Sequence, residues 1–194
     1  MTEFRQQAKQ ELYDDDVYEK IAGQEMMFAR PSTSHIIVER NLTYILHKYL
    51  KGKRCQLFIE PDVFLNDENR FIPDLLIVCD KNKIKADGIH GAPDFVAEIL
   101  SLSTQKRDLT VKKDTYEKFG VKEYWIIDPF VKTVTVYRLT DGKYQIDNIY
   151  RTHTAKEIAA LSENDKAALE LQLKVSLYDD LTIDIEEIFE GIPI

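Results

Sequence analysis

One short run constrains this chain more than any other feature. Phe95-Val-Ala-Glu98-Ile-Leu100 is too short for a helix and nearly all apolar, so it reads as a strand buried on both faces, yet a carboxylate sits inside it. A lone carboxylate in such a place is costly unless it is paired, hydrogen-bonded or bound to a cation. Glu98 therefore needs either a Lys or Arg at the strand end or a metal ion. A second run of the same kind, Pro73-Asp74-Leu-Leu-Ile-Val78, opens on an acid. If the two strands are neighbours in one sheet, Asp74 and Glu98 converge at one end and present the hard oxygen ligands that Mg²⁺ or Mn²⁺ prefers. The Pro-Asp pair alone says little, because Pro61-Asp62 repeats it and the dipeptide is common in turns.

The remaining pattern builds a frame around these two runs. Tyr18 to Arg30 reads as a strand or hairpin around Gly23, and Pro31-Ser-Thr-Ser34 offers a turn and N-cap candidates. From His35, residues Val38, Leu42, Ile45, Leu46 and Tyr49 fall on one face at the 3.6-residue period of an amphipathic helix, which Gly52 ends. Gln56–Glu60, Val63–Leu65 and Phe71–Cys79 then suggest a small antiparallel meander. Asp108 is placed to cap a second helix running to Phe119, with Gly120 at its C-terminus. Strands are expected over Glu123–Asp128, Thr133–Arg138 and Tyr144–Ile149, and a terminal helix over Ile183–Phe189. The succession predicts a mixed β-sheet flanked by helices, of the α/β or α+β class.

On the second helix, Leu109, Tyr116 and Phe119 define the buried face, and Lys112 lies within about 30° of its centre. An inward amine there would neutralise the two carboxylates, or orient a water and stabilise charge on a phosphate. The alternative is a snorkelling side chain whose stem lines the core. Tyr116, one turn on, either braces Lys112, contacts a substrate or packs as a core aromatic beside Phe119. Lys106, Arg107, Lys112 and Lys113 form the densest basic cluster near the acids, suited to phosphate contacts or simply to a solvated face. Asp108 could also anchor Lys106 or Arg107.

Composition sets the outer limits. The 194 residues suit one domain, expected over 18–194 behind a polar arm of residues 1–17 that contains the acidic run Asp14-Asp15-Asp16 and is read as mobile or as a partner contact. The longest apolar runs are about five residues against the roughly 20 that span a bilayer, and the N-terminus lacks the pattern of a secretory signal, so a cytoplasmic protein is expected. Cys55 and Cys79 lie far apart without CxxC spacing, so the expectation is two reduced, structural thiols and no cysteine-based zinc site. The net charge of −8 repels a polyanion, so any nucleic-acid role must rest on a local basic patch or a bound cation.

The succession Pro73-Asp74, Phe95-Val-Ala-Glu98-Ile-Leu-Ser101-Leu-Ser103-Thr104, Asp108-xxx-Lys112-xxx-Tyr116 and Gly120-Val-Lys-Glu-Tyr124-Trp125-Ile-Ile-Asp128-Pro129 resembles the Uma2 family of restriction-endonuclease-like proteins. The similarity runs from about Tyr18 to the last helix and is densest over residues 94–129. That family is placed in the PD-(D/E)xK nuclease superfamily, so the resemblance implies a restriction-endonuclease-like mixed sheet and a divalent-metal-dependent DNA endonuclease. It makes Asp74 and Glu98 the metal-binding acids and Lys112 the third catalytic residue. Lys106, Arg107, Lys113 and Tyr116 become substrate contacts, and Mg²⁺ or Mn²⁺ the cofactor. The chain departs from the superfamily pattern at Leu100, where a lysine should stand two positions after the acid; Lys112 on the following helix takes that place. His35 matches a further family position, whereas Glu39 lies about 80° off the apolar centre of its helix and is not read as a ligand. DNA is the implied partner, a homodimer the implied assembly, and no membrane is involved. Two other readings remain: a non-catalytic binding or assembly module on the nuclease scaffold, and a metal-dependent hydrolase of smaller phosphate esters.

Overall fold

Alternation along one strand explains the layering of the molecule. In strand β9 (Phe95–Ile99) the side chains of Phe95, Ala97 and Ile99 enter one apolar cluster while Val96 faces another, so both faces are buried. The computed structural model, which describes residues 18–27 and 30–193, places β9 inside a six-stranded sheet. Its neighbours are β6 (Leu75–Val78) and β10 (Glu123–Asp128), followed outward by β3 (Gln56–Ile59) on one side and by β11 (Thr133–Thr140) and β12 (Lys143–Arg151) on the other. Within this sheet only β9 and β10 run parallel; its other pairs are antiparallel. A parallel pair needs a crossover, and residues 105–119 supply it as a helix. The expected mixed sheet flanked by helices is what the chain forms.

One face of this sheet packs on helix α1 (Thr33–Leu50), on the hairpin β13 (Gln172–Lys174) with β14 (Thr182–Asp184), and on the short helix Ile185–Phe189. Ser32 caps α1 by accepting from the backbone N–H of His35, and His35, Val38, Leu42, Leu46 and Leu50 form its buried stripe. The other face meets a second six-stranded sheet containing β1 (Tyr18–Ile21), β2 (Gln24–Met27), β4 (Val63–Asn66), β5 (Asn69–Phe71), β7 (Ile84–Lys85) and β8 (Gly88–His90).

Four sequence expectations change. The meander over 56–79 is split between two sheets: β3 and β6 pair directly in the central one, while β4 and β5 between them cross to the second. The breaks fall at Glu60, whose φ of 46° turns the chain into the left-handed region, and at Pro73, which has no N–H to continue a ladder. The polar stretch read as a loop with Gly88 and Gly91 contains the short hairpin β7–β8. The second helix starts at Gln105, not Asp108: segments Gln105–Arg107, Asp108–Lys112 and Lys113–Phe119 run on as α2, with the middle one wound as a wide π turn. That turn breaks the 100° count. Asp108 and Lys112 both end buried, whereas Leu109, expected in the core, is 42% exposed.

Cys55 and Cys79 are joined in a disulfide, against the expectation of two separate thiols. The β3/β6 register pairs Gln56 with Val78, which sets residues 55 and 79 opposite each other, with Cα atoms 4.0 Å apart. The 24-residue separation hid a contact that only strand pairing creates. The polar arm of residues 1–17 lies outside the described residues. No helix among the described residues is long and apolar enough to cross a membrane.

Candidate active site

The β6/β9 pairing settles where the two acids stand. Leu75 pairs with Ala97 in an antiparallel register, so the next position places Asp74 opposite Glu98, on the sheet face shared with Leu76 and Val96. Asp74 is fixed at both oxygens: Oδ2 accepts from the backbone N–H of Ile99 at 2.5 Å, and Oδ1 lies 3.2 Å from His35 Nε2. Burial pulls the His35 imidazole down, but its bond to Asp74 and the charges of Asp74, Glu39 and Glu60 outweigh burial and leave it raised.

Beneath this pair lies a closed charge network. Lys112 Nζ sits 2.7 Å from Glu19 Oε1, 2.8 Å from Glu98 Oε1 and 3.6 Å from Asp108 Oδ1. Its amine is 1% exposed, so it neither snorkels to solvent nor reaches an open surface. Tyr116 donates its hydroxyl to Glu98 Oε1 at 3.1 Å, and Tyr124 donates to the backbone carbonyl of Asp108 at 3.0 Å. Arg107 Nε stands 3.3 Å from Glu19 Oε2, and the backbone N–H of Ile72 donates to Glu19 Oε1. Burial pulls the Lys112 amine down, yet Glu98, Glu19 and Asp108 together hold it above its ordinary value. Burial drives the Glu98 carboxyl well up, Lys112 opposes this, and Asp108, Asp74 and Glu19 add to the rise. Among the described residues, three buried carboxylates, Glu19, Glu98 and Asp108, face two cations, Lys112 and Arg107. The count leaves one negative charge over, which a proton or a further cation must balance.

Toward solvent the acids continue. Glu39, one turn after His35 on α1, has a buried Oε1 without a hydrogen-bond partner. Its carboxyl is pushed up to about 7 by burial and by the charges of Glu60 and Asp74. Glu60 donates its backbone N–H to the Asp74 carbonyl at 3.1 Å.

The structure thus brings Asp74, Glu98, Lys112 and Tyr116 together, and it separates the basic residues. Lys106 is exposed, Arg107 turns inward to Glu19, and Lys113 lies 3.1 Å from Asp114 and near the Tyr137 ring. Sequence reasoning missed Glu19, which is fully buried on β1. A signal existed, because Glu19 and Ile21 alternate onto one face as Glu98 does among its neighbours, but β1 is only four residues long.

The donor set fits a hard cation in one specific way. Among the described residues no group of three or more His, Cys, Asp or Glu side chains is arranged to hold a metal. Two opposed carboxylates with surplus negative charge do suit an ion of the Mg²⁺ type, which commonly keeps several waters and uses one or two carboxylates plus substrate phosphates.

A family model matches residues 1–176 of this chain: Uma2, described as putative restriction endonuclease. The chain belongs to the Uma2 family. It is 28% identical over 143 residues to an uncharacterized protein of Synechocystis sp., covering 72% of this chain and 70% of that one. Its fold matches the crystal structure of a protein from Anabaena variabilis described as a putative nuclease belonging to DUF820, with a TM-score of 0.68, 21% identity and 90% of each chain covered. Family and fold are therefore those of restriction-endonuclease-like nucleases, a group that generally uses divalent metal ions.

Proposed function

We propose that this Uma2 protein is a divalent-metal-dependent DNA endonuclease whose metal carboxylates are Asp74 and Glu98. The observation that carries the reading is their placement opposite each other across β6 and β9 beside a network that, among the described residues, holds one more carboxylate than cations. Mg²⁺ or Mn²⁺ bound there would lower the pKa of a coordinated water and polarise a phosphate. The protein's own part is positional. Ile99 and His35 fix the rotamer of Asp74. Lys112 and Tyr116 both hold Glu98 Oε1, leaving Oε2 as the oxygen to offer. Lys112 is thereby a positioning residue that balances charge beneath the site. Lys106 remains at the surface for phosphate contact, while Arg107 and Lys113 would have to leave their present carboxylate partners to join it. Cutting both strands calls for two such sites, which a homodimer would supply.

The test is cleavage of supercoiled and linear DNA by the wild type with Mg²⁺, Mn²⁺ or EDTA, beside Asp74→Asn and Glu98→Gln proteins of verified fold. Metal-dependent cutting that both substitutions abolish supports the reading. Absence of cutting, together with no divalent binding at millimolar metal by calorimetry, sinks it. One observation favours a second reading, a non-catalytic module: Glu98, Lys112 and Glu19 are buried and bonded to one another much as a structural network would be. That negative result would select it.

A further inference from the structure

The end of the central sheet away from Asp74 carries a different kind of site. Cys55 and Cys79 close the outer β3/β6 pair, about 17 Å along β6 from Asp74 at the rise per residue of a strand. Both cysteines line an open pocket of about 350 Å³ together with Arg54, Lys122, Asp94 and Tyr178. β3 is the edge strand, so among the described residues no further strand lies beyond the bridge, but both cysteines are largely buried, Cys55 6% and Cys79 9% exposed, and meet solvent only through this pocket. Arg54, exposed, donates its Nε to the Cys79 carbonyl at 3.1 Å. Lys122, 66% exposed, pairs at 2.7 Å with Asp94, whose other oxygen accepts from the Cys79 N–H at 2.8 Å. Asp94 and Lys122 thus offset each other, and Arg54 leaves the pocket lining with one positive charge in surplus.

We propose that Cys55–Cys79 is a thiol–disulfide exchange site that takes a small thiol bearing carboxylates, recognised by Arg54 and Lys122. A thiolate RS⁻ attacks one cysteine sulfur and forms a mixed disulfide, while the S–S bonding pair leaves on the other sulfur. Nearby positive charge favours that thiolate leaving group. A second RS⁻ attacks the sulfur of the bound thiol and releases RSSR. Two RSH are oxidised and the bridge is reduced to two Cys–SH, with the protons carried over from the two thiols. Nothing in this inference rests on the nuclease reading.

The experiment uses the full chain, air-oxidised and folded, with reduced glutathione as the probe and intact mass after quenching with N-ethylmaleimide. No label is expected before treatment, then a transient glutathione adduct, then two labels per chain with the far-UV circular dichroism retained. In Arg54→Gln/Lys122→Gln the rate with glutathione should fall at least about threefold, while the rate with neutral 2-mercaptoethanol stays constant. Arg54→Gln alone serves if the double variant does not fold. Two free thiols in the oxidised chain, or a bridge that opens only after denaturation, overturns the exchange site. Equal slowing with both thiols overturns the recognition of an anionic thiol.

Discussion

The two ends of the central sheet handle buried acids in opposite ways. At the end of β9 near Asp94 and the neighbouring start of β10, each carboxylate has its own partners. Asp94 bonds the Cys79 N–H and Lys122, while Glu123 accepts from the Trp125 indole at 2.6 Å and from the Ser176 N–H at 2.7 Å. At the other end Glu19, Glu98 and Asp108 share Lys112, with Arg107 as the second cation, and Asp74, Glu39 and Glu60 crowd the surface above. The same sheet therefore contains carboxylates that serve the fold and carboxylates held at mutual cost. Stability alone does not call for the second arrangement, and held strain of that kind clusters at functional sites.

The strongest way to break this contrast is to remove the shared cation. Among the described residues, Lys112→Met leaves Glu19, Glu98 and Asp108 with Arg107 as their only nearby cation, and the loss should be about 3–5 kcal/mol by urea unfolding, with the proposed DNA cutting abolished. Adding Glu98→Gln to Lys112→Met should recover part of that loss, because one uncompensated charge is then gone. A Lys112→Met protein as stable as the wild type would mean that the carboxylates are not held ionised against each other. At the opposite end, Cys55→Ser/Cys79→Ser should cost about 3 kcal/mol relative to the oxidised wild type from the reopened loop, and reducing the wild type should have the same effect.

A smaller effect sharpens the comparison through pH. Burial would raise the Asp94 carboxyl, but the Lys122 amine and the Cys79 N–H hold it below its ordinary value of 3.8. A lowered carboxylate contributes stability above its unfolded value and loses it as the pH falls through the folded one. Asp94→Asn should therefore cost about 1–2 kcal/mol at pH 7, and the two proteins should converge as the pH drops below 3.8. Parallel pH curves would remove Asp94 from the class of privately paired acids.

How much of this was legible in the sequence depended on how local the cause was. Asp74 and Glu98 stood out because each interrupts or opens an apolar run, and the register of β6 and β9 turned two anomalies into a pair. The inward aim of Lys112 followed from helical spacing, whereas Leu109, placed inward by the same count, is exposed, since the π turn at Asp108–Lys112 changes the angle per residue. Glu19 and the cysteine bridge were hidden for a different reason. Their partners come from strands distant in sequence, Glu19 meeting α2 across a second sheet and Cys55 meeting Cys79 across a strand pair, and no period in the chain encodes those meetings.

The least expected effect is a gain. Burial and the charges of Glu60 and Asp74 raise the Glu39 carboxyl from 4.5 to about 7, so the folded state binds this proton more tightly than the unfolded chain. With a raised carboxyl the sign reverses relative to Asp94: wild-type stability should fall as the pH climbs from 4.5 to about 7 and stay level above. Glu39→Gln removes the titration, so it should match the wild type below pH 4.5 and exceed it above pH 7. A fully buried group with this shift would give about 3 kcal/mol, but Glu39 is half-buried and solvent screening reduces the expectation to about 1 kcal/mol. Denaturant midpoints of both proteins at pH 4, 6 and 8 measure it. A Glu39→Gln protein less stable than the wild type at pH 8 would show that Glu39 is stabilising where it stands, and the crowding of acids would then be confined to the buried network around Lys112.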